Sequence, residues 1–275
     1  MRSEQEMMNM ILQFARNDER VRVVTMEGSR MNKNAPKDKF QDYDISFLVT
    51  DMASFLAADA WLDVFGKRII MQKPEAMSLF PPADGSRFMY LMLYEDGNRI
   101  DLGLAPVNEL EKHFSEADSQ TAVLLDKDHL CPTLGPPSDR DYHEKKPSPA
   151  FIDDCCNEFW WVSTYVVKGL CRDELLYAIA HLQIMQKQLF TMVSWKVGIE
   201  TGFSLSVGKS YKYLQKYVSG DLWGRILQTY DASTKEKLWD ALHHCCDLFR
   251  EVSAEVSGAL HYRHPGYAEK VLEYI

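Results

Sequence analysis

At 275 residues, 46% of them hydrophobic and 12% aromatic, the chain has the material for two ordinary folded domains and is not a disordered protein. A formal charge of −9 works against a generic nucleic-acid binder, whose affinity comes from Lys and Arg neutralising phosphates, and leaves an acidic surface that serves either solubility or a cationic substrate. No apolar run approaches the ~20 residues that span a bilayer, and the opening Met1-Arg2-Ser3-Glu4-Gln5-Glu6 is too acidic for a secretion signal, so the expected setting is the cytoplasm.

In chain order, Met7, Met8, Ile11, Leu12 and Ala15 recur at the spacing of a helix over 4–17. Val21 to Met26 reads as a strand that turns at Gly28, 32–39 as a polar loop, and Tyr43 to Val49 as a second strand. Asp51 is placed to cap a helix running to about Val64, followed by a short strand over 68–71. Phe88 to Tyr94 and Arg99 to Leu104 flank Glu95-Asp96-Gly97-Asn98, whose Asp-Gly pair predicts a hairpin. From Pro132 to Pro149, Pro, Gly, Ser and charge predict a connection without regular structure. Beyond it, 151–169, 172–199, 210–218, 222–230, 233–260 and 266–274 read as helices. The cysteine pairs Cys155-Cys156 and Cys245-Cys246 lie in two of them and have neither zinc-ligand spacing nor a disulfide framework, so buried free thiols are expected.

Three carboxylates carry the chemistry. Asp42 and Asp44, one residue apart at the start of a strand, leave the same face while Tyr43 points into the opposite layer. Asp101, on the second hairpin strand, is expected beside them. Crowded carboxylates repel one another, so a bound cation such as Mg²⁺ gives the cluster a rationale, with Asp101 completing the shell or taking a proton. Gly28 and Ser29 at the preceding strand exit offer amides and a hydroxyl to phosphate oxygens, with Arg30 as a further candidate. The combination points to phosphoryl or nucleotidyl transfer; a solvated strand end is the alternative. Val207-Gly208-Lys209-Ser210 looks like the end of a P-loop, but the position five before Gly208 is Phe203, so the register is wrong. Lys209 and Lys212 remain candidates for triphosphate oxygens, or simply form a basic face with Lys216. Asp153, Asp154, Glu158, Trp160 and Trp161 offer carboxylates and aromatic area to a cationic or sugar-like substrate, and Asp173 beside Arg172 is a further candidate. Ordinary solvated and buried helix faces, and for Asp173 the helix dipole, account for these equally well.

Taken together, Glu27-Gly28-Ser29-Arg30, Phe40-Gln41-Asp42-Tyr43-Asp44, Asp154-Cys155-Cys156-Asn157-Glu158-Phe159-Trp160, Lys168-Gly169-Leu170-Cys171-Arg172, Ser194-Trp195-Lys196-Val197-Gly198 and Ser206-Val207-Gly208-Lys209 closely resemble the aminoglycoside 6-adenylyltransferases of the nucleotidyltransferase superfamily. The resemblance covers nearly the whole chain. It implies an α+β protein: an N-terminal nucleotidyltransferase domain over 1–135, with a mixed β-sheet and flanking helices, a connection over 136–149, and a C-terminal helical bundle over 150–275 that binds the aminoglycoside. The implied reaction is ATP-dependent transfer of AMP to the 6-hydroxyl of streptomycin, releasing pyrophosphate. Asp42 and Asp44 are implied to hold Mg²⁺, with Asp101 contributing to the metal site and acting as proton acceptor. The implied partners are ATP and streptomycin or a related cationic aminoglycoside, with no nucleic acid and no membrane, and the expected form is a monomer. Two other functions stand beside this one: transfer to another aminoglycoside or aminocyclitol, such as a spectinomycin-like alcohol, and a non-catalytic nucleotide-binding module of the same fold.

Overall fold

The computed structural model describes residues 1–80 and 85–275. It divides the chain into two compact units, Met1–Asp141 and Tyr142–Ile275. The first is built on a six-stranded sheet of β1 (Val21–Glu27), β2 (Tyr43–Val49), β3 (Arg68–Gln72), β4 (Phe88–Tyr94), β5 (Arg99–Pro106) and β6 (Ala122–Asp126), in the order β3-β4-β5-β2-β1-β6. Only β2 and β5 run parallel; the other neighbours are antiparallel, so the sheet is mixed.

Alternation along the strands divides the sheet into two faces. Val24, Met26, Tyr43, Ile45, Phe47, Ile100, Leu102 and Leu104 enter the larger core, together with Met7, Ile11 and Ala15 of α1 (Glu4–Asn17). Ser3 starts that helix with a capping box, its hydroxyl accepting from the Glu6 amide while Glu6 accepts from the Ser3 amide. The opposite face carries a small cluster of Val23, Leu48 and Ala105, with Leu110 of α3 (Leu110–Glu116) against it. Glu27, Asp44 and Asp101 have the parity of this less apolar face.

Two segments depart from the sequence reading. Asp51 does cap α2, accepting from the Ser54 amide at 3.1 Å, but the helix spans only Met52–Leu56 and gives way to a 3₁₀ turn at Ala60–Phe65. The Trp61 indole donates to the Phe55 carbonyl at 3.0 Å. That carbonyl would accept from residue 59 in a continued helix, and the turn instead delivers Leu62 and Phe65 to the core. Strand β6 and helix α3 were not anticipated. β6 is a five-residue run without alternation in burial that becomes a strand by pairing with β1.

The second unit comprises α4 (Pro149–Cys171), α5 (Leu175–Glu200), α6 (Gly220–Gln228), α7 (Lys235–Leu260) and α8 (Ala268–Tyr274). Phe159 of α4 stacks on Phe249 of α7 with ring centroids 3.7 Å apart, and Trp160 meets the same ring edge-on. Cys155, Cys156, Cys245 and Cys246 are buried free thiols in this core. The turn after α4 closes when the Glu174 amide bonds the Gly169 carbonyl at 2.8 Å, with Asp173 in the left-handed region, so α5 starts later than the predicted 172. The helix predicted over 210–218 does not form. Ser210 and Tyr211 are both left-handed, the Tyr213 amide closes on the Val207 carbonyl, and two short 3₁₀ turns result. Among the described residues no helix is long and apolar enough to cross a membrane.

Truncating Phe249 to Ala should cost about 3–5 kcal/mol, because the cavity opens under two aromatic rings. Trp161→Ala should stay within about 0.5 kcal/mol, since Trp161 is 60% exposed. Urea titrations of the two full-length variants, followed by far-UV circular dichroism, compare them directly.

Candidate active site

Gly28 ends β1 with φ +76, a conformation that side-chain-bearing residues rarely adopt. The absence of a side chain also makes room: a Cβ here would lie 2.3 Å from Asp44 Oδ2. The chain therefore turns against a carboxylate, and Ser29 enters a one-turn 3₁₀ segment, Gly28–Arg30. Gln41 holds that turn by donating its amide to the Ser29 carbonyl at 3.2 Å.

Arg30 braces the approach to β2. Its Nε donates to the Asp42 carbonyl at 2.9 Å and Nη2 to the Gln41 carbonyl at 2.8 Å. The guanidinium lies 3.6 Å from the centre of the buried Tyr43 ring, and Nη1 pairs with Glu4 at 3.4 Å. In this structure the Arg30 fork is turned onto backbone carbonyls and an aromatic face, where it positions Asp42.

The three expected carboxylates do converge. Asp44 and Asp101 are direct partners in the parallel β2–β5 register, and Tyr43 and Ile100 precede them as a pair in the opposite core layer. Asp42 lies just before β2. Glu27 is the partner of Asp44 on the other side, across β1 and β2. Burial pushes the Asp44 carboxyl up to about 6, with Asp101, Asp42 and Glu27 adding repulsion and Arg99 opposing it. Glu27 is also raised, chiefly by burial, with hydrogen bonds from Ser46 and Thr25 acting in the other direction.

Arg99, two residues before Asp101 on β5, is the cation among these groups. Its Nε and Nη2 donate to the two Asp101 oxygens at 2.8 and 2.7 Å, and its Nη1 lies 3.6 Å from Asp42 Oδ2. As the side chains stand, no three His, Cys, Asp or Glu groups among the described residues form a metal-holding set. The donor chemistry nevertheless fits a hard divalent ion, which takes carboxylate oxygens, and Asp44 and Asp101 stand side by side across β2 and β5.

Behind the acids lies His113, buried on α3. Arg87 Nη2 is 2.8 Å from its Nδ1, and since a guanidinium has no acceptor, Nδ1 must accept. Nε2 then carries the proton and donates to Thr25 Oγ1 at 3.2 Å. Burial, reinforced by Arg87, lowers this imidazole to about 4, so it is neutral near pH 7. The sequence reading gave no role to Glu27, Arg99, Arg87 or His113. For Glu27 and Arg99 a signal existed: each shares strand parity with the acids.

The remaining candidates belong to the helical unit. Lys209 and Lys212 are exposed at the 3₁₀ turn after α5, with the Lys212 ammonium 5.1 Å from the Tyr213 ring centre. Asp153, Asp154 and Glu158 are exposed on α4. Trp160 is only 2% exposed and presents no ring face to solvent, which corrects its expected place in a substrate site; its neighbour Trp161 is the outward one. Asp173 forms an exposed ion pair with Lys235 in the turn between α4 and α5. A cavity of 560 Å³ in this unit is lined by Asp154, Glu144, Phe151 and Trp195 among others. Burial raises the Glu144 carboxyl.

Comparison with known proteins gives a consistent result. Residues 1–275 match the family described as streptomycin adenylyltransferase. The chain is 50% identical over 275 residues to the aminoglycoside 6-adenylyltransferase of Bacillus subtilis (strain 168), covering 100% of this chain and 97% of that one. It is 49% identical to the enzyme of the same name from Campylobacter jejuni, covering 100% and 95%, and 39% identical to that from Staphylococcus aureus, covering 100% and 98%. A crystal structure of an aminoglycoside 6-adenyltransferase from Bacillus subtilis is 47% identical over 100% of this chain and 97% of that one, with a TM-score of 0.49.

Two stability effects follow from the packing of Asp44. The folded protein holds the Asp44 proton more tightly than the unfolded chain, so ionising it destabilises the fold. That penalty is absent below the ordinary value of 3.8, grows from there to about 6, and is complete above it. In chelator, Asp44→Asn should therefore melt higher than the parent protein above pH 6, and the difference should vanish below 3.8. Gly28→Ala should melt lower at every pH, by about 1 kcal/mol or more, because it combines backbone strain with a clash on Asp44. Calorimetric scans across that pH range test both.

Proposed function

We infer the reaction from the premise that the chain belongs to the streptomycin adenylyltransferase family: it is an aminoglycoside O-nucleotidyltransferase, transferring AMP from ATP to a hydroxyl of the drug. The finer reading is that the acceptor is the 6-hydroxyl of streptomycin and that the chemistry is centred on Asp42, Asp44 and Asp101. The observation that carries it is the register pairing of Asp44 with Asp101 beside the Gly28 turn, with Glu27 on the other flank.

In this reading the drug hydroxyl oxygen forms a bond to the α-phosphorus of ATP. The bond from that phosphorus to the α,β-bridging oxygen breaks, and pyrophosphate leaves with the electron pair. Asp101 takes the hydroxyl proton, a role that typically contributes 10²–10⁴-fold to such a step. Mg²⁺ held by Asp42, Asp44 and Asp101 would supply charge stabilisation to the phosphates and the leaving group. Gly28 lets the backbone approach the phosphates closely, Ser29 offers them its hydroxyl, and Arg30 holds the Gln41–Asp42 segment that presents the first acid. Lys209 and Lys212 remain candidates for the triphosphate.

For the drug, the helical unit offers carboxylates that accept from guanidinium and ammonium groups. Asp154 is the preferred one of the α4 acids, because it alone of Asp153, Asp154 and Glu158 lines the cavity, where Glu144, Phe151 and Trp195 add a second acid and aromatic faces. Asp173 is a weaker candidate, since it already pairs with Lys235. The need for ATP supports a cytoplasmic setting.

The test is incubation with α-labelled ATP, Mg²⁺ and a panel of aminoglycosides and aminocyclitols, with mass and site-resolved NMR of the product. Label on the streptomycin 6-hydroxyl is the expected outcome; label on a different alcohol only would reassign the acceptor, and ATP binding without transfer to any would leave a binding module. Asp42→Asn and Asp101→Asn should keep their circular dichroism spectra and lose about 10²-fold or more in kcat.

A further inference from the structure

We propose that Arg99 is a resident counter-ion of the acidic site, holding Asp101 and Asp42 in the absence of a divalent ion and leaving Asp101 when one binds. The proposal rests on the reading of Asp42, Asp44 and Asp101 as metal ligands, and its test separates the two.

Strand geometry places the guanidinium. Arg99 and Asp101 are two residues apart on β5 and so leave the same face. Across the parallel β2–β5 pair, Tyr43 faces Ile100 and Asp44 faces Asp101, so one step earlier Asp42 stands level with Arg99. Arg99 thus forms a corner with Asp42 and Asp101, and its contacts reach both: a two-bond fork onto Asp101 and the 3.6 Å approach to Asp42. A planar guanidinium matches a carboxylate in this bidentate way and holds it more tightly than a single point charge does.

This pairing uses the Asp101 oxygens that an ion shared with Asp44 requires. A hard cation takes carboxylate oxygens as direct ligands, so it and the Arg99 fork compete for one face of Asp101. Arg99 is suited to yield: its side chain is 43% exposed, against 14% for Asp101, so the guanidinium has solvent to move into while the carboxylate stays with the sheet. Without a cation, four acids, Asp42, Asp44, Asp101 and Glu27, repel one another on one sheet face, and Asp44 is left with no hydrogen-bond or ion-pair partner among the described residues. Arg99 offsets part of that charge until a doubly charged ion replaces it.

The experiment measures Mn²⁺ binding to the full-length protein without nucleotide, by the loss of the free-ion electron paramagnetic resonance signal, in the parent protein and in Arg99→Met, Arg99→Lys and Asp44→Asn. Removing the fork should tighten Mn²⁺ binding by about tenfold or more, the scale of a charge-assisted pair, and Arg99→Lys should fall between Arg99→Met and the parent. In the parent protein, the Arg99 Nε–H resonance should shift as Mg²⁺ is added. Unchanged or weaker Mn²⁺ binding in Arg99→Met, or an Arg99 resonance indifferent to Mg²⁺, overturns the competition; if Asp44→Asn still abolishes binding in that case, the metal site itself stands. Mn²⁺ binding by Asp44→Asn at the parent affinity overturns both.

Discussion

The N-terminal unit is organised around one electrostatic constraint: Asp44 and Asp101 are fixed side by side by the register of the parallel β2–β5 pair. Burial disfavours the ionised Asp44 carboxyl first and foremost, and the like charge of Asp101 beside it adds to the conflict. Backbone hydrogen bonding along β2 and β5 over seven paired residues prevents the two from moving apart. The fold therefore sustains a local excess of negative charge on this face of the sheet.

Other features of the unit accommodate that conflict. Gly28 gives the Asp44 carboxylate room that a side chain would remove, and Arg30, stacked on Tyr43, ties the Asp42 segment to the sheet through two carbonyls. On the same side of the sheet, His113 is kept neutral between Arg87 and Thr25, so it adds no charge of its own to the acidic face. Arg99 brings an opposite charge directly onto Asp101 and Asp42, and it does so from a partly solvated side chain. The rigid parts of the site are thus the acids and their backbone, while the neutralising group is the adjustable one.

The helical unit solves a different problem. Its core is held by aromatic stacking between α4 and α7 and by close packing at Gly169, where a Cβ would meet Ala178 at 2.9 Å. With Phe159, Trp160 and both cysteine pairs inside, α4 turns Asp153, Asp154, Glu158 and Trp161 outward. One helix therefore provides both the core and an acidic surface.

Much of this was legible in the residues. Strand parity alone put Asp42 and Asp44 opposite Tyr43, the Asp-Gly hairpin brought Asp101 onto a strand, and three-to-four-residue periodicity outlined the long helices, because each of these signals is local. Local signals failed where a distant partner decided the outcome. The Trp61 indole ended a helix that Ala57 and Ala58 would have extended, pairing with β1 made a strand of 122–126, and Tyr213 closing on Val207 replaced a helix with turns. Trp160 and Trp161 are adjacent and alike in composition, but Trp160 lies on the buried α4 face against Phe249 and Trp161 on the exposed one. The sequence by itself determined the identity of the acids, the strands that bear them and the family they mark. Parity within β5 already places Arg99 on the Asp101 face, but tertiary structure decided that Glu27 stands opposite Asp44 and that Arg99 reaches Asp42 as well, because those neighbours are set by register between strands distant in the chain, which no periodicity within a single strand encodes.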